Sequence, residues 1–267
     1  MSYEREMAAA RRAALAASAR ILDLYTPEVA VRWKGENDPV TAADEASTEV
    51  ILDELGRSFP GEPVLIEERA DDAARIGAER VWIVDPLDGT REFIDRIPEF
   101  CVMIGLVEGG EPVAGVVHVP LAGVAFAGAA GRAVKIGPDG EERPLRCTAA
   151  RGVESMRLVV SRSHRSPLIT HARELLGISA EVPSGSVGMK VARILLGEAD
   201  LYIHLGPGIK LWDACSPDAI LRAGGGRMTD AAGAAIDYTA RSVAVGGLVA
   251  SAGPLHDEVV GRIRCLV

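Results

Sequence analysis

The 267-residue sequence predicts a mixed α/β (α+β) fold, and three observations support this prediction. Two helical patterns are followed by apolar segments of strand length with turns between them, which is typical of an antiparallel sheet. From about residue 150 onward, strand-like and helical segments alternate, which indicates an α/β layer. A turn-forming segment at 137–142 separates the two patterns. We therefore expect an α+β part over 1–145 and an α/β part over 146–267.

The N-terminal segment is predicted to form a surface helix, because its large apolar residues fall close to one helical stripe. Two arginines before an alanine-rich run resemble an export signal, but Arg20 and Asp23 interrupt the run too early. The polar segment 32–39 contains Gly, Asn and Pro and is predicted to be an irregular loop. A second helix is predicted from about Thr41 to Phe59.

Short apolar segments predict the strands of both parts. In the first part they are Pro63–Ile66, Val81–Val84, Cys101–Val107 and Pro112–Val119, with further pieces up to about Ile136. The turns after residue 107 indicate an antiparallel meander. In the second part, strands are predicted at Leu158–Val160, Leu201–Ile203 and Leu248–Ala250, and helices near 166–176, 186–197, 213–223 and 255–266.

Composition and charge exclude several classes of protein. Hydrophobic residues make up 48% and charged residues 25%, which is ordinary globular composition. The formal charge of -9 argues against a nucleic-acid partner, which would require a basic surface. No apolar stretch is long enough to span a membrane, so we expect no membrane partner. The four cysteines are widely spaced and are predicted to be reduced thiols of a cytoplasmic protein.

Segment 81–90 is the most informative part of the sequence. Asp85 ends an apolar strand, the following proline is predicted to force a turn, and Asp88 comes three residues later. These two carboxylates and the Leu87 carbonyl could converge on Mg²⁺, which prefers oxygen ligands. Gly89 permits a close backbone approach, and the N–H groups after it could point at a bound phosphate. The alternative is an ordinary Asp-Gly turn with solvated acids.

Further acids stand at element ends elsewhere in the chain. Glu67 and Glu68 follow an apolar strand, Asp44 lies at the start of the second helix, and Asp213 begins a later helix. Each of them alone could be a helix cap or a surface charge. Together they provide enough carboxylates for a phosphoryl-transfer site with two or three metal ions.

These motifs, in this order, resemble those of the inositol monophosphatase superfamily. They are Thr41-Ala42-Ala43-Asp44, Glu67-Glu68, Val84-Asp85-Pro86-Leu87-Asp88-Gly89-Thr90 and Trp212-Asp213. The resemblance extends from the first helix to about residue 254. It implies a layered αβαβα sugar-phosphatase fold and a Mg²⁺-dependent, lithium-sensitive phosphatase, with a homodimer as a further expectation.

Within the superfamily, the sequence is most similar to the 3′(2′),5′-bisphosphate nucleotidase (CysQ-like) branch. The segments that carry this similarity are Arg91-Glu92-Phe93, Ser161-Arg162-Ser163-His164, Gly185-Ser186-Val187-Gly188-Met189-Lys190 and Trp212-Asp213-Ala214-Cys215-Ser216-Pro217. His204 stands where inositol phosphatases carry a glutamate and bacterial nucleotidases a basic residue.

The resemblance implies a role for each matching residue. The metal ligands for two or three Mg²⁺ ions would be Glu67, Asp85, the Leu87 carbonyl, Asp88 and Asp213. Asp44 would accept a hydrogen bond from Thr90, and Thr90 with Glu67 would position and deprotonate a metal-activated water. The substrate contacts would be Gly89, Thr90, Ser161, His164, Ser186, Lys190 and Asp213.

The activity implied is removal of the 3′-phosphate from adenosine 3′,5′-bisphosphate by in-line attack, in sulfur assimilation. The substrate is therefore a small phosphorylated nucleotide, and 3′-phosphoadenylyl sulfate is a second candidate. The alternatives are an inositol-1-phosphate or broad sugar-phosphate phosphatase, and a non-catalytic regulator with the same fold. At single positions, His164 could instead bond a loop carbonyl, and Lys34 or Lys190 could be a solvated lysine.

Overall fold

The computed structural model describes residues 2–27, 29–35, 38–71, 73–162 and 166–267, with the side chains of Lys34 and Asp38 left undescribed. Its α-helices over these residues are α1 Glu4–Asp23, α2 Ala42–Ser58, α3 Thr90–Ile94, α4 Pro167–Leu176, α5 Val187–Leu195, α6 Leu211–Ala223 and α7 His256–Ile263. None of these helices is both long and apolar enough to cross a membrane.

A seven-stranded sheet forms the first half of the structure, with its strands in chain order. Its strands are β3 Val64–Ile66, β4 Arg80–Asp88, β5 Cys101–Glu108, β6 Glu111–Val119, β7 Val124–Ala129, β8 Arg132–Ile136 and β9 Glu142–Leu145. Strand β3 is parallel to β4, and the pairs from β4 to β9 are antiparallel. The predicted antiparallel meander is therefore confirmed.

A five-stranded mixed sheet follows, in the order β11-β10-β12-β14-β13. Its strands are β10 Arg157–Ser161, β11 Ala180–Ser184, β12 Leu201–His204, β13 Arg227–Thr229 and β14 Leu248–Ser251. Strands β11, β10 and β12 are parallel, and β14 pairs antiparallel with β12 and β13. The predicted α/β alternation is confirmed, although β11 and β13 were not expected.

The loop predicted at 32–39 is wrong for residues 32–35 and 38–39, the part of it that the structure describes. The strands β1 Val31–Gly35 and β2 Asp38–Thr41 form a separate antiparallel ribbon in which Trp33 faces Pro39. A two-stranded ribbon tolerates proline because the missing N–H can lie on its open edge. The turn expected at 137–142 is a hairpin turn, because its last residue already belongs to β9.

Three buried clusters arrange the helices and sheets in five layers. Helices α1 and α2 pack on one face of the seven-stranded sheet, and α5 and α6 lie between the two sheets. Helices α4 and α7 cover the outer face of the five-stranded sheet. Alternate residues of β4 face different clusters, with Val81 and Ile83 toward α6 and Trp82 and Val84 toward α2. The layered αβαβα fold is therefore confirmed, while the division at residue 145 stays a prediction.

A row of three paired glycines lets α6 approach the seven-stranded sheet closely. Gly105, Gly115 and Gly128 are cross-strand neighbours on β5, β6 and β7. A Cβ atom at Gly115 would lie 2.5 Å from the Ser216 carbonyl oxygen, and one at Gly105 would lie 2.5 Å from the Cys215 sulfur. The glycines thus set the distance of α6 from the sheet, and with it the position of Asp213.

Candidate active site

Strand β4 delivers Asp85 and Asp88 into the interior. The predicted turn after Asp85 is wrong, because β4 continues to Asp88 through an irregularity in its pairing with β5. Asp85 pairs with Met103 and Asp88 with Cys101, so β4 contains one extra residue between them. A bulge of this kind accommodates a proline and redirects the side chains that follow it.

Asp213 completes a cluster of three acids, which we call the acid cluster. It lies in the first turn of α6, where the Lys210 N–H donates to its carboxylate at 2.6 Å. One carboxylate oxygen from each of Asp85, Asp88 and Asp213 lies within 4.8 Å of the other two. Two distant chain segments, a strand end and a helix start, therefore place their acids at one point.

Ionisation of the acid cluster is unfavourable in the metal-free protein. Loss of hydration raises the pKa of all three carboxyl groups, and repulsion between the acids raises the pKa values of Asp85 and Asp213 further. For Asp88, a 2.7 Å hydrogen bond from the Gly188 N–H and the charge of Lys190 oppose this rise in pKa. Closely spaced oxygen donors with excess negative charge fit a hard divalent cation.

Two further predicted ligands lie around the acid cluster. Glu67 follows β3 and is not one of the three mutually close acids, but its charge raises the pKa of both Asp85 and Asp213. The Leu87 carbonyl lies 3.2 Å from the Thr90 hydroxyl. The Ser47 hydroxyl on α2 donates to the neighbouring Pro86 carbonyl at 2.7 Å, which anchors the bulge.

The structure brings Asp44 and Thr90 together, as their predicted roles require. Thr90 Oγ1 lies 3.0 Å from Asp44 Oδ1, while the N–H and hydroxyl of Thr41 both donate to Asp44 Oδ2 at 2.7 Å. Burial raises the pKa of Asp44 to about 6, and these donors oppose the rise. Asp44 therefore caps α2 and holds the Thr90 side chain at the same time.

A pocket of about 600 Å³ opens beside these residues, and we call it the side pocket. Ser161 and His204 line it at the ends of β10 and β12, and Lys190 of α5 lies in its wall. The Lys190 charge also acts on Asp88 and Asp213, so the side pocket adjoins the acid cluster. Burial lowers the pKa of Lys190, whose ammonium nitrogen lies 5.1 Å from the centre of the Tyr202 ring.

The remaining predicted substrate residues lie near the start of α5, except for one that falls outside the described residues. Ser186 caps α5 by accepting the Met189 N–H at 3.1 Å. Gly89 has a φ of 94°, and a Cβ there would lie 3.2 Å from the Ser186 Cβ. His164 lies outside the described residues, as does the side chain of Lys34.

Sequence reasoning missed three groups that contact these residues. The Gly188 N–H bonds the Asp88 carboxylate, and the Cys101 sulfur lies 3.6 Å from the same carboxylate. Glu99 bonds the N–H of Gly185 at 2.6 Å. The glycines at 185 and 188 were a signal that the backbone approaches another segment there, whereas nothing near Glu99 indicated its partners.

Comparisons with known proteins show to which family the chain belongs. The model of the inositol monophosphatase family matches residues 3–265. The 3′(2′),5′-bisphosphate nucleotidase CysQ of Escherichia coli (strain K12) is 37% identical over 225 residues, which are 83% of this chain and 89% of that protein. The histidinol-phosphatase of Mycobacterium tuberculosis is 32% identical over 240 residues, which are 89% of each protein.

A solved structure shows the same relation. CysQ from Bacteroides thetaiotaomicron, a bacterial member of the inositol monophosphatase family, superposes with a TM-score of 0.80 at 31% sequence identity. The superposition covers 94% of this chain and 98% of that one. The expectations of an enzyme and of this family are therefore confirmed. The chain belongs to the inositol monophosphatase family and is a CysQ-like phosphatase of that family, a group of metal-dependent enzymes.

Proposed function

We propose that this enzyme is a Mg²⁺-dependent phosphatase that removes the 3′-phosphate from adenosine 3′,5′-bisphosphate. The observation that carries the proposal is a cluster of three repelling carboxylates beside a pocket with a buried lysine. The first feature suits a divalent cation, and the second suits a substrate that keeps a second anionic group. The similarity to CysQ nucleotidases supports the same choice.

In this proposal, the metal ligands are the acid cluster, the Leu87 carbonyl and Glu67. All of them are oxygen donors, which favours Mg²⁺ over softer ions, and their number suits two or three ions. Mg²⁺ bound there would lower the pKa of a water molecule and neutralise charge on the phosphate and the leaving oxygen. The pKa values of the three carboxyl groups are raised in the metal-free protein, and the positive charge of Mg²⁺ would oppose this rise.

Thr90 and Asp44 are proposed to orient the attacking water. When the Thr90 hydroxyl donates a hydrogen bond to Asp44 Oδ1, the lone pairs of Thr90 Oγ1 can accept a hydrogen bond from that water. Glu67 is the proposed proton acceptor nearby. The attack is in line on phosphorus, with no covalent intermediate on the protein.

The substrate is proposed to lie across the acid cluster and the side pocket. The 3′-phosphate would contact Gly89, Thr90 and Asp213, which lie at the cluster. Ser161 and Lys190, which line the side pocket, would bind the nucleoside and its retained 5′-phosphate, together with Ser186 and His164. A sulfated 5′-phosphate has the same anionic character, so 3′-phosphoadenylyl sulfate is a second substrate of the same class.

Phosphate release with Mg²⁺ tests the proposal, on adenosine 3′,5′-bisphosphate, inositol-1-phosphate and fructose-1,6-bisphosphate in parallel. We expect a clear preference for the nucleotide. The variant Asp213→Asn should abolish release, whereas Asp218→Asn, which removes a buried acid from the same helix, should retain it. Preference for inositol-1-phosphate or fructose-1,6-bisphosphate would contradict the substrate, and full activity of Asp213→Asn would contradict the metal site.

A further inference from the structure

Glu99 is a buried carboxylate to which three separate segments of the chain donate hydrogen bonds. Its two oxygens accept bidentate hydrogen bonds from Arg162, both at 2.8 Å. Glu99 Oε2 also accepts the Gly185 N–H at 2.6 Å, and Arg193 approaches Oε1 at 3.4 Å. These contacts lower the pKa of Glu99, so its carboxylate stays charged at neutral pH.

The partners of Glu99 lie next to proposed substrate residues. Arg162 directly follows Ser161 at the end of β10, and Gly185 directly precedes Ser186. Arg193 lies on α5, the helix that carries Lys190. One carboxylate thus connects the segment after α3 with both walls of the side pocket.

The segment between β11 and α5 needs such a support. A Cβ at Gly185 would lie 2.9 Å from the Glu99 carbonyl oxygen, so the two segments are in direct backbone contact. Ser186 has a φ of 36°, a left-handed conformation that costs free energy for a residue with a side chain. A strained turn keeps its shape only if its surroundings hold it.

We propose that Glu99 is a positioning residue for the substrate, a role that rests on the proposed function. By binding Arg162 and the Gly185 N–H, it holds Ser161 and Lys190, which line the side pocket, at a fixed distance from each other, and it holds Ser186 at the start of the helix that carries Lys190. Glu99 itself does not contact the substrate. Its loss loosens the site for the nucleoside and 5′-phosphate, while the acid cluster keeps its ligands.

The other end of β10 provides a matched control. There Arg157 forms a bidentate pair with Asp200, at 2.8 and 3.0 Å, and Asp200 also accepts a backbone N–H. The side-chain exposures are nearly the same, 39% and 7% for this pair against 39% and 10% for Arg162 and Glu99. The two pairs differ in position. Arg157 lies at the first residue of β10, whereas Arg162 follows the last residue of that strand, which lines the side pocket.

The test compares Glu99→Gln with Asp200→Asn, using adenosine 3′,5′-bisphosphate and p-nitrophenyl phosphate, which has no nucleoside or second phosphate. Glu99→Gln should raise KM for the nucleotide about 10- to 100-fold with a kcat within about threefold, as expected for a lost charged hydrogen bond. Its kcat/KM for p-nitrophenyl phosphate should change less than about threefold. Asp200→Asn should leave KM for both substrates near the wild-type values.

Three outcomes would overturn parts of this inference. Equal effects of the two variants on the nucleotide KM would show that Glu99 has only a structural role. An equal loss on both substrates would place Glu99 in the chemistry. A wild-type enzyme without preference for the nucleotide would overturn the proposed function and, with it, this role. If Glu99→Gln does not fold, Arg162→Ala against Arg157→Ala makes the same comparison from the exposed partners.

Discussion

Helix α6 carries a half-buried carboxylate, Asp213, and a buried one, Asp218, and their surroundings differ. Asp218 accepts a 2.8 Å hydrogen bond from Arg222 on one oxygen and a 3.0 Å hydrogen bond from the Tyr238 hydroxyl on the other. Asp213, five residues earlier, accepts a backbone N–H and faces two further acids. Asp218 is thus compensated by partners within the protein, while Asp213 repels its neighbours. The difference indicates that the acid cluster is built for a charge supplied from outside the chain.

The largest effect is expected for Asp85→Asn, which should have opposite consequences for activity and stability. Activity should fall about 100- to 1000-fold or more, because a ligand to the catalytic charge is lost. Unfolding in EDTA at pH 7 should require more free energy than in the wild type, because burial and repulsion disfavour the Asp85 charge.

The direction of this stability change follows from the linkage between proton binding and folding. A carboxyl group with a raised folded-state pKa stabilises the protein fully below its unfolded pKa, and that stability is lost as the pH rises through the folded value. The asparagine does not ionise and so avoids this loss at neutral pH. Asp218→Asn is the comparison, and it should raise stability less than Asp85→Asn does, because hydrogen bonds from Arg222 and Tyr238 oppose the rise in the pKa of Asp218. A loss of stability of metal-free Asp85→Asn would contradict this account of the acid cluster.

A second prediction concerns the distance between α6 and the sheet. Gly115→Ala should destabilise the protein by about 1–3 kcal/mol, because the new methyl group meets the Ser216 backbone at 2.5 Å. It should also weaken Mg²⁺ binding, because the methyl group pushes α6 away from the sheet and so moves Asp213 away from Asp85 and Asp88. Thermal unfolding with EDTA and with Mg²⁺ measures both effects, because a ligand that binds the folded state raises the melting temperature.

Gly56→Ala is the control for this prediction. A methyl group at Gly56, in α2, would meet no other part of the described chain within 4 Å, so alanine should stabilise the helix by about 0.5–1 kcal/mol. Its Mg²⁺-dependent shift should equal that of the wild type. A Gly115→Ala protein with an unchanged Mg²⁺ shift would show that the glycine row does not set the position of Asp213.

These comparisons also show what the sequence could predict. Asp85 and Asp88 were identified from their spacing after an apolar segment, and Asp44 and Glu67 as acids beside predicted elements, while their roles came from the resemblance of the motifs and their order. The partners of Glu99 lie 63 to 94 positions away, so their pairing depends on the tertiary fold. The β1–β2 ribbon was missed because Gly, Asn and Pro are typical of loops and also occur in hairpins.

The smallest effect is expected for the pH dependence of activity, and it concerns Asp44. Like Asp218, Asp44 accepts hydrogen bonds from the protein, and like Asp213 it lies in the candidate active site. Burial raises its pKa to about 6, as for Asp218, although Thr41 and Thr90 donate hydrogen bonds to it. Below pH 6, protonated Asp44 loses acceptor capacity for the Thr90 hydroxyl. We therefore expect kcat to fall as the pH drops from 7 to 5, by about tenfold per pH unit below the pKa.

The pH profile at saturating Mg²⁺ and substrate measures this effect. Thr90→Ser keeps a hydroxyl and should keep the profile, whereas Thr90→Val should lower kcat about 100-fold or more and flatten the profile between pH 5 and 7. Asp218→Asn should leave the profile unchanged, since Asp218 is paired with Arg222 and Tyr238 rather than with Thr90. An unaltered acidic limb in Thr90→Val would assign that limb to a group other than Asp44. Burial raises the pKa values of Asp44 and Asp218 to about 6 in both cases. The pKa therefore does not distinguish their roles, and the difference is that Asp44 orients the Thr90 hydroxyl for the reaction, whereas Asp218 stabilises the fold.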